Sequence, residues 1–413
     1  MPTATPAAFD APLDVGRAPR VAAVRNDTRL SIHDDLSCVA DDWRAFEQSA
    51  DCTAFQTFAW LSAWQRHVGE RQGVTPAVVA GRDAHGALSF IIPLAIERRG
   101  LARALTFLGS ELCDYNAPLL SPDFPHQIGV ARFVALWDEI VARLRAHPRL
   151  GFDLVRFEKM PESVGAQSNP MLGLPVMPNA SNAHHTQLAG DWETFYAAKR
   201  SSATRRRDRA KRKRLAEVGE IRFVSPQSAG DVERTLDTLI EHKTRQFRAM
   251  GVANLFARAG HREFLRAVAT DAAMRPLVHV SRLDVGPAMA AVNLGLTFRG
   301  VYYHLLAGYD RGELSRFGPG VTHLHELFGH AIERGFRVFD FTIGDEIYKR
   351  PWCDRELKLY DHVSAVTPRG LGIAWALIAK LRVKRWVKRT PALWGLFQQV
   401  RSWFAPLFRV VAR

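Results

Sequence analysis

The sequence predicts an α/β protein of two domains that share an internal duplication. The chain has 413 residues, which exceeds the usual size of one domain, and 47 % of them are hydrophobic, enough to build extended cores. In addition, the order helices, β-meander, helix, strand occurs twice along the chain. Residue identity between the two occurrences is low, so the predicted duplication is one of structure.

The first domain is predicted over residues 29–180. It follows an Ala- and Pro-rich N-terminal segment, residues 1–28, which we expect to be disordered. Two short helices that begin near Asp41 and Thr57 open the domain, because Asp and Thr are good N-cap residues. The predicted elements that follow are strands at 75–81, 87–98 and 103–109, a helix near 127–146 and a strand at 152–157.

The second domain is predicted over residues 181–370. The Pro- and Asn-rich segment 169–182 is expected to cross between the domains. Gly335 is placed to end the helix that precedes the last strands, as glycine commonly does just beyond a helix C-terminus. The predicted elements are a basic helix within 196–215, helices at 229–249, 262–273 and 321–334, and strands at 277–283, 288–298, 301–309, 337–343 and 357–366.

The positive charge is concentrated in two segments. The net charge is +14, but residues 196–215 carry +9 and the acid-free segment 371–413 carries another +9, so the rest of the chain carries −4. Concentrated positive charge attracts phosphates on nucleic acid, a membrane or a phosphorylated substrate. Aromatic residues for base stacking are scarce beside the first segment, which argues against sequence-specific nucleic-acid binding.

Cysteine usage and hydropathy indicate a cytoplasmic protein. The four cysteines are far apart, with no paired spacing typical of a disulfide framework or a structural zinc site. We expect no signal peptide and no membrane span, because no charged start precedes an apolar run and no apolar stretch reaches about 18 residues. The cysteines are Cys38, Cys52, Cys113 and Cys353.

The most distinctive local motif is Arg316-Phe-Gly318-Pro-Gly320, between a predicted strand and a predicted helix. Glycines allow backbone amides to approach a ligand closely, and the amides at a helix N-terminus attract phosphate. The same pattern also occurs in tight turns that simply lead into a helix. Its position after a three-strand meander favours the phosphate-binding interpretation.

The chain resembles the CelD-type GNAT acetyltransferases, a family associated with cellulose and exopolysaccharide biosynthesis. The resemblance covers about residues 35–370. In the first half it rests on Phe55-Gln-Thr-Phe-Ala-Trp60-Leu-Ser-Ala-Trp64, Ile92-Pro93-Leu94, and Leu108-Gly109 with Asp114-Tyr115-Asn116. In the second half it rests on the basic run through Leu215, Gly318-Pro319-Gly320, Gly335-x-x-x-x-Asp340, and Gly344-Asp345-x-x-Tyr348-Lys349.

The resemblance implies a tandem duplicated GNAT fold with mixed, largely antiparallel sheets. It implies transfer of an acetyl or other acyl group from acyl-CoA to an amine or hydroxyl, on a sugar or an envelope precursor. The acyl-CoA pyrophosphate would lie on Arg316, Gly318 and Gly320, although the first interval is one residue shorter than in the family. Fem-type aminoacyltransferases, which use aminoacyl-tRNA, share the double architecture and provide a first alternative; a non-catalytic, membrane-associated scaffold is a second.

Acyl transfer requires a base for the attacking group and an acid for the leaving thiolate. Asp340 and Asp345 flank the end of the strand that would line the acyl site of a GNAT fold. Asp340 shares strand parity with Val338 and Thr342, so it is expected to face apolar surroundings that raise its pKa. The alternative is a structural carboxylate paired with Arg337 or Lys349.

Three further residues are candidates for the site. Tyr348 could protonate the thiolate, and Lys349 could bind a phosphate or an acidic substrate; aromatic packing and a solvated ammonium are the alternatives. His242 follows the apolar face of its helix and is a candidate for the acceptor cleft, although a single helical histidine is usually structural. His323, His325 and His330 lack a supporting ligand set, so no metal is predicted.

The two basic segments each have two interpretations. The basic helix is either a solvated surface or a contact for the CoA 3′-phosphate, a polyanionic glycan, lipid or tRNA. The tail, residues 371–413, combines tryptophans and cations without acids, a pattern typical of helices at anionic membrane interfaces. The alternative is that it packs on the protein body. The membrane interpretation would place the protein peripherally at the inner face of the membrane.

Overall fold

The computed structural model describes residues 28–109 and 111–390. It confirms a mixed α/β fold with two similarly built halves. The predicted disordered N-terminus, the end of the tail beyond residue 390 and Ser110 lie outside the described residues. The domain boundaries at 180 and 370 stay predictions.

The first half contains two large sheets, a two-stranded sheet formed by residues 163–164 and 167–168, and a long helix. A four-stranded sheet has the order β1-β3-β4-β7, and a six-stranded sheet has the order β11-β19-β8-β6-β5-β2. The strands of this half are β1 (Arg29–His33), β2 (Thr75–Pro76), β3 (Val78–Arg82), β4 (Leu88–Ile92), β5 (Leu94–Arg99), β6 (Ala102–Phe107), β7 (Leu119–Leu120), β8 (Leu154–Pro161), β9 (Ser163–Val164), β10 (Gln167–Ser168) and β11 (Met177–Pro178). Its helices are α1 (Ala40–Phe46), α2 (Phe58–Trp64), α3 (Phe124–Gln127) and α4 (Gly129–Ala146).

The second half is built on one seven-stranded sheet with the order β13-β14-β15-β16-β17-β12-β18. The strands from this part of the chain are β12 (Ala183–Gln187), β13 (Ile221–Val224), β14 (Val278–Val285), β15 (Ala288–Phe298), β16 (Val301–Tyr309), β17 (Val338–Ile343), β18 (Arg355–Leu357) and β19 (Leu359–Ala365). The helices are α5 (Trp192–Lys199), α6 (Ser202–Val218), α7 (Ala229–Ala249), α8 (His261–Thr270), α9 (Pro319–Glu333) and α10 (Pro368–Arg389).

The two halves share one topological feature. In each, the last meander strand pairs in parallel with the strand that follows the helix: β6 with β8, and β16 with β17. The other described strand pairs are antiparallel. A parallel pair needs a crossover connection, which α4 and α9 provide. The duplicated order of elements in the sequence therefore corresponds to a duplicated topology.

β12 lies in the second sheet between β17 and β18. One strand of the second half, however, lies in the other sheet. This strand is β19, which pairs with β8 in the first sheet. The sequence analysis predicted no strand at residues 183–187, and the structure has one there, next to the edge strand β18.

Pro93 divides a segment that the sequence predicts as one strand, 87–98. The structure has two strands here, β4 and β5, and they belong to different sheets. Proline has no amide proton for a strand ladder, which accounts for the break. Apolar residues continue on both sides of Pro93, so the hydrophobic pattern alone does not reveal the change of sheet.

The halves share a hydrophobic core. One cluster of buried residues joins α2 of the first half to α7, α8 and the central sheet of the second. At its centre the ring of Trp60 lies 4.8 Å from that of Phe264, edge to face. Arg299 adds a polar contact between the halves, because its guanidinium donates a hydrogen bond of 2.6 Å to the carbonyl of Ala50. The halves are therefore packed against each other through an apolar interface. Within the described residues, no helix is long and apolar enough to span a membrane.

Candidate active site between strands β16 and β17

The candidate site lies where two central strands of the second sheet separate. β16 and β17 pair at three positions, the last being Tyr303 with Asp340. Both strands continue, β16 to Tyr309 and β17 to Ile343, without further pairing between them. The strands therefore open immediately beyond Asp340.

Asp340 is buried at this point, as the sequence predicts, with 6 % of its surface exposed. Burial raises the pKa of its carboxyl to about 6, although the hydrogen bonds that it accepts and Lys349 act in the opposite direction. A carboxylate with such a pKa is ionised at neutral pH and is a stronger base than an exposed one. The predicted alternative of an ion pair with Arg337 or Lys349 is not found among the described contacts.

The hydrogen-bond donors to Asp340 come from both halves. Tyr115, in the loop after β6, donates its hydroxyl to both carboxylate oxygens, at 2.7 and 3.0 Å. The backbone amide of Thr342 donates to Oδ1 at 2.7 Å. Thr342 has φ +56°, a left-handed conformation that is unusual for a β-branched residue. The strand bends here so that its own amide meets the carboxylate.

Tyr115 is rigidly held. Its carbonyl accepts a hydrogen bond from Gln56 at 2.7 Å, and its ring lies edge to face against Phe55 and Tyr303. Sequence reasoning included Tyr115 in the family resemblance but gave it no role. It is 225 positions from Asp340, and local periodicity contains no signal for a contact at that separation.

Lys349 lies along β17 beyond Asp340. Its ammonium donates to the carbonyls of Phe341 and Ile343, at 3.0 and 3.1 Å, and pairs with Glu346 at 2.9 Å. The residue is almost fully buried, so the alternative of a solvated lysine is wrong. All three protons of the Lys349 ammonium therefore have acceptors within the protein. The predicted role of Lys349 in phosphate binding stays a prediction, and these contacts do not support it.

The remaining predicted catalytic residues lie around the opening at different depths. Asp345 is exposed and accepts from His184 at 3.2 Å and from the amide of Asn182 at 3.3 Å. Burial would raise the pKa of Asp345, but these hydrogen bonds and Lys388 together hold it below its usual value. Asp345 is therefore a weaker base than Asp340.

Tyr348 lies beside β17, and His242 lies beside β16. Tyr348 is exposed, and its ring packs edge to face on Phe341 at 6.1 Å. His242 is buried on α7 next to Gly308 of β16, and its Nδ1 lacks a hydrogen-bond partner in the described structure. Burial lowers the pKa of His242, so its imidazole is neutral at neutral pH.

His304 is a buried group that sequence analysis did not identify. It follows Tyr303 on β16, at the start of the opening, and contacts the rings of Phe339 and Phe341. Burial, with Lys349 and Lys243 nearby, lowers its pKa to about 3. The imidazole is therefore neutral at physiological pH.

The glycine motif forms the N-terminus of α9, as predicted. Gly318 is the N-cap residue, with φ +68°, a conformation that favours glycine. Pro319 has no amide proton, and the amides of Val321 and Thr322 donate to the Gly318 carbonyl. Among the described contacts, the Gly320 amide is the first-turn donor without an acceptor, so it is the one available to a ligand.

The basic helix α6 runs beside this loop. A methyl group added to Gly318 would lie 3.9 Å from Cδ of Lys211. A cavity of about 360 Å³ between α5, α6 and α9 is lined by Gly318, by three cations of α6 and by four carboxylates. The cations are Arg209, Lys211 and Arg212, and the carboxylates are Glu193, Asp208, Glu326 and Glu333. Arg316 is exposed on the other side of the loop, with its guanidinium 4.7 Å from the Phe317 ring. The sequence motif and the strongest charge run are therefore neighbours in space.

The three histidines of α9 have separate partners, which agrees with their spacing. His323 lies 3.2 Å from the Ser281 hydroxyl, and His325 packs among the rings of Trp192, Tyr196 and Trp352. His330 stacks on His279 of β14.

Comparison with known proteins agrees with this geometry. Residues 202–350 match the model of the acetyltransferase (GNAT) domain. No curated protein matches the sequence. Among solved structures, FemX is similar at 10 % identity with a TM-score of 0.55, covering 78 % of this chain and 96 % of FemX. A conserved protein of unknown function from Bacteroides thetaiotaomicron is similar at 13 % identity with a TM-score of 0.51, covering 82 % of this chain and all of the other.

The protein therefore has a GNAT-type acyltransferase domain in its second half, within a tandem GNAT fold. The matched segment runs from the basic helix α6 through α9 and β17 to the residue after Lys349. It includes both the glycine motif and Asp340.

Proposed function

We propose that the protein transfers an acetyl or other acyl group from acyl-CoA to an amine or hydroxyl of a sugar or envelope precursor. The observation that carries the proposal is the opening between β16 and β17, which ends at the buried carboxylate of Asp340. It lies inside the segment that matches the GNAT domain. The resemblance to CelD-type enzymes supports the acceptor class.

In the proposed mechanism the acceptor nitrogen or oxygen attacks the thioester carbonyl. Asp340 takes the proton that the acceptor loses, for which its pKa of about 6 is well suited near neutral pH. The carbon–sulfur bond then breaks and the CoA thiolate is protonated. Tyr348 is the proposed acid: burial raises its pKa, so it is still a phenol when the thiolate forms. The phenolate then regains a proton from solvent, and Asp340 releases to solvent the proton that it took. The acceptor product and free CoA leave.

Tyr115 is the proposed positioning residue for the base. Its hydroxyl donates to Asp340 and keeps the pKa of that carboxyl lower than burial alone would set it. The Gly318–Gly320 loop and the cations of α6 are proposed to bind the phosphates of acyl-CoA, since they surround the N-terminus of α9. Arg316 is proposed as a further contact there, and His242 as a wall of the acceptor cleft.

Thermal unfolding with and without acetyl-CoA tests the donor. We expect acetyl-CoA to raise the Tm of the wild type and to have no effect on Gly320→Trp, whose indole would fill the space beside the α9 N-terminus and displace the Tyr309 ring. Gly372→Trp is the matched control, because a side chain there meets open space. Absence of a shift in the wild type would contradict the acyl-CoA proposal.

An aminoacyl-tRNA donor is the second candidate. The exposed cations of α6 favour it, since Arg206, Lys213 and Arg214 have no ion-pair partner in the described structure. Release of free CoA from acetyl-CoA in the absence of tRNA would exclude this candidate as the main activity. Tight tRNA binding that weakens steeply with salt, without CoA release, would favour it.

A peripheral membrane location is proposed from helix α10. The helix carries seven Lys or Arg and no acid, and it packs on the first half through Ile373 and Leu377. Its other face exposes Trp375 and Trp386 beside these cations, as interfacial helices do. Co-sedimentation with phosphatidylglycerol-containing vesicles should fall several-fold in Trp375→Ala/Trp386→Ala and stay unchanged in the control Val218→Ala. Equal binding by all three proteins would refute the membrane contact.

A further inference from the structure

A second cavity lies at the other end of α9, far from the glycine motif. It has a volume of about 640 Å³ and is bordered by the start of β14, the end of β15 and the N-terminus of α7. His330 and Arg334, near the end of α9, line it, whereas Gly318 begins the same helix. At 1.5 Å per residue the two sites are roughly 20 Å apart. We name this space the α9-end cavity.

The lining of the α9-end cavity is strongly cationic. The positive charge comes from three arginines, Arg275, Arg299 and Arg334, and none of the residues that line the cavity is an Asp or Glu. The two histidines that also line it are neutral, because burial lowers the pKa of each. The N-terminus of α7, a helix of 21 residues, also opens onto it and contributes the positive end of a helix dipole. The electric field in the cavity therefore favours an anion.

The three arginines differ in how many hydrogen bonds their guanidinium groups make within the protein. Arg299 donates to backbone carbonyls of the first half, and Arg275 donates 3.1 Å to the carbonyl of Gln227. The guanidinium of Arg334 makes no hydrogen bond or ion pair within the described residues. Its charge and part of the Arg275 guanidinium are available to a ligand.

The two histidines form a stacked pair. Their rings lie 4.5 Å apart and nearly parallel, at 4°. His279 is fully hydrogen-bonded, with the Ser225 hydroxyl at 3.0 Å and the Tyr302 hydroxyl at 2.9 Å. His279 therefore fixes the orientation of the ring against which His330 packs. The His330 ring nitrogens have no hydrogen-bond partner in the part of the chain that the structure describes.

The rest of the lining combines hydroxyl and apolar groups. Thr270, Thr297 and Gln227 offer neutral hydrogen-bonding groups, and Phe298 and Phe336 offer aromatic surface. The volume lies in the range of small-molecule sites. Guanidinium groups bind phosphate oxygens with two parallel hydrogen bonds, which distinguishes this lining from a merely solvated surface.

We propose that the α9-end cavity binds a small phosphate-bearing molecule of about sugar-phosphate size, separately from the proposed acyl-CoA site. Arg334, Arg275 and His330 would hold the phosphate, and the threonines would contact the polar body of the ligand. This site does not depend on the proposed acyl transfer.

Isothermal titration calorimetry of the full chain with glucose 6-phosphate and with inorganic phosphate tests the proposal. We expect saturable binding of glucose 6-phosphate, weaker binding of phosphate and none of glucose. Arg275→Gln/Arg334→Gln should lower the affinity about tenfold or more, because it removes two charge-assisted contacts. Both residues are exposed, so the fold should tolerate the change.

Two controls separate this site from other causes. Arg145→Gln, on the exposed face of α4, removes a charge far from the cavity and should leave binding unchanged. Gly320→Trp should also retain binding, because Gly320 does not line the α9-end cavity. The proposal is wrong if neither phosphate compound binds to the wild type. It is also wrong if binding survives in the double arginine variant or is lost in Gly320→Trp.

Discussion

The two halves each contain an opening between parallel strands, but they use it differently. In the first half, β6 and β8 pair only at Ala104–Leu154 and Leu105–Val155 before they separate. Beyond these pairs, Asn116 lies against β8. Its backbone amide donates a hydrogen bond to the carbonyl of Lys159, and its side-chain amide donates one to the carbonyl of Glu158. The chain's own loop thus fills the first opening.

In the second half, the corresponding carbonyls of β17 bind a single side chain. The ammonium of Lys349 donates hydrogen bonds to the carbonyls of Phe341 and Ile343. The loop that closes the first opening also carries Tyr115, which reaches across to Asp340 in the second. The difference indicates a division of labour between the halves. The loop of the first half closes the opening between β6 and β8, and its Tyr115 contributes a hydrogen bond to the site in the second half.

Each half also has one buried aspartate with a pKa raised to about 6. Asp340 is on β17, and Asp361 is on β19, where it accepts from Asn179 at 2.7 Å and from the amide of Lys159 at 3.0 Å. Lys159 has φ +58°, close to the +56° of Thr342. These two carboxyls form a natural pair for testing which opening reacts.

The largest expected effect is on turnover. Asp340→Asn should lower kcat for acyl transfer by about 10² to 10⁴, because it removes the proposed base, while acetyl-CoA binding is retained. Asp361→Asn is the matched control and should change kcat by no more than a few-fold. Steady-state assays of CoA release measure both. Similar losses in the two variants would end the proposed division of labour.

The next effect concerns stability. The pKa of the Asp340 carboxyl is raised in the folded protein, so the folded protein keeps the carboxyl proton to a higher pH than the unfolded chain does. The free energy of unfolding therefore decreases as pH rises from about 4 to about 6. The loss amounts to at most about 3 kcal/mol. Asp340→Asn should remove it, so the Tm of the variant relative to the wild type should rise between pH 4 and pH 8. A pH-independent difference would show that Asp340 is not buried in solution as it is here. Asp361→Asn should behave likewise.

The smallest effect is on the pH profile. Tyr115→Phe removes a hydrogen bond that lowers the pKa of Asp340, so the rise of kcat with pH should move upward by about one pH unit. Activity should fall several-fold at pH 6.5 and recover at higher pH. Tyr196→Phe, which removes a similar donor from Asp208, should leave the profile in place. An unmoved midpoint in Tyr115→Phe would exclude the positioning role.

Much of the second half could be predicted from local sequence. The strands at 288–298 and 301–309 and the helix at 229–249 have the predicted bounds, because each combines a clear periodicity with flanking turn or cap residues. The burial of Asp340 also follows from strand parity. Ser228, for example, caps α7 by accepting from the amide of Asp231, an interaction between near neighbours.

The errors have a different origin. Pro93 separates two strands of different sheets, and β12 lies between two other strands of a sheet although its sequence, Ala-His-His-Thr-Gln, has little β-branched or apolar character. Both outcomes depend on which strands are available as neighbours, and that is decided by distant parts of the chain. Lys349 is predicted as a phosphate ligand, but its ammonium donates to a carbonyl of β17. This contact also depends on how the chain packs and not on the local sequence.

The sequence by itself determined the division of charge, the duplicated order of elements and the glycine motif at the start of α9. Those features depend on composition and on contacts within a few residues. The tertiary structure alone decided that β19 lies in the sheet of the first half and that Tyr115 contacts Asp340. Such contacts join residues hundreds of positions apart, so they follow from the packing of the two halves and leave no trace in local periodicity.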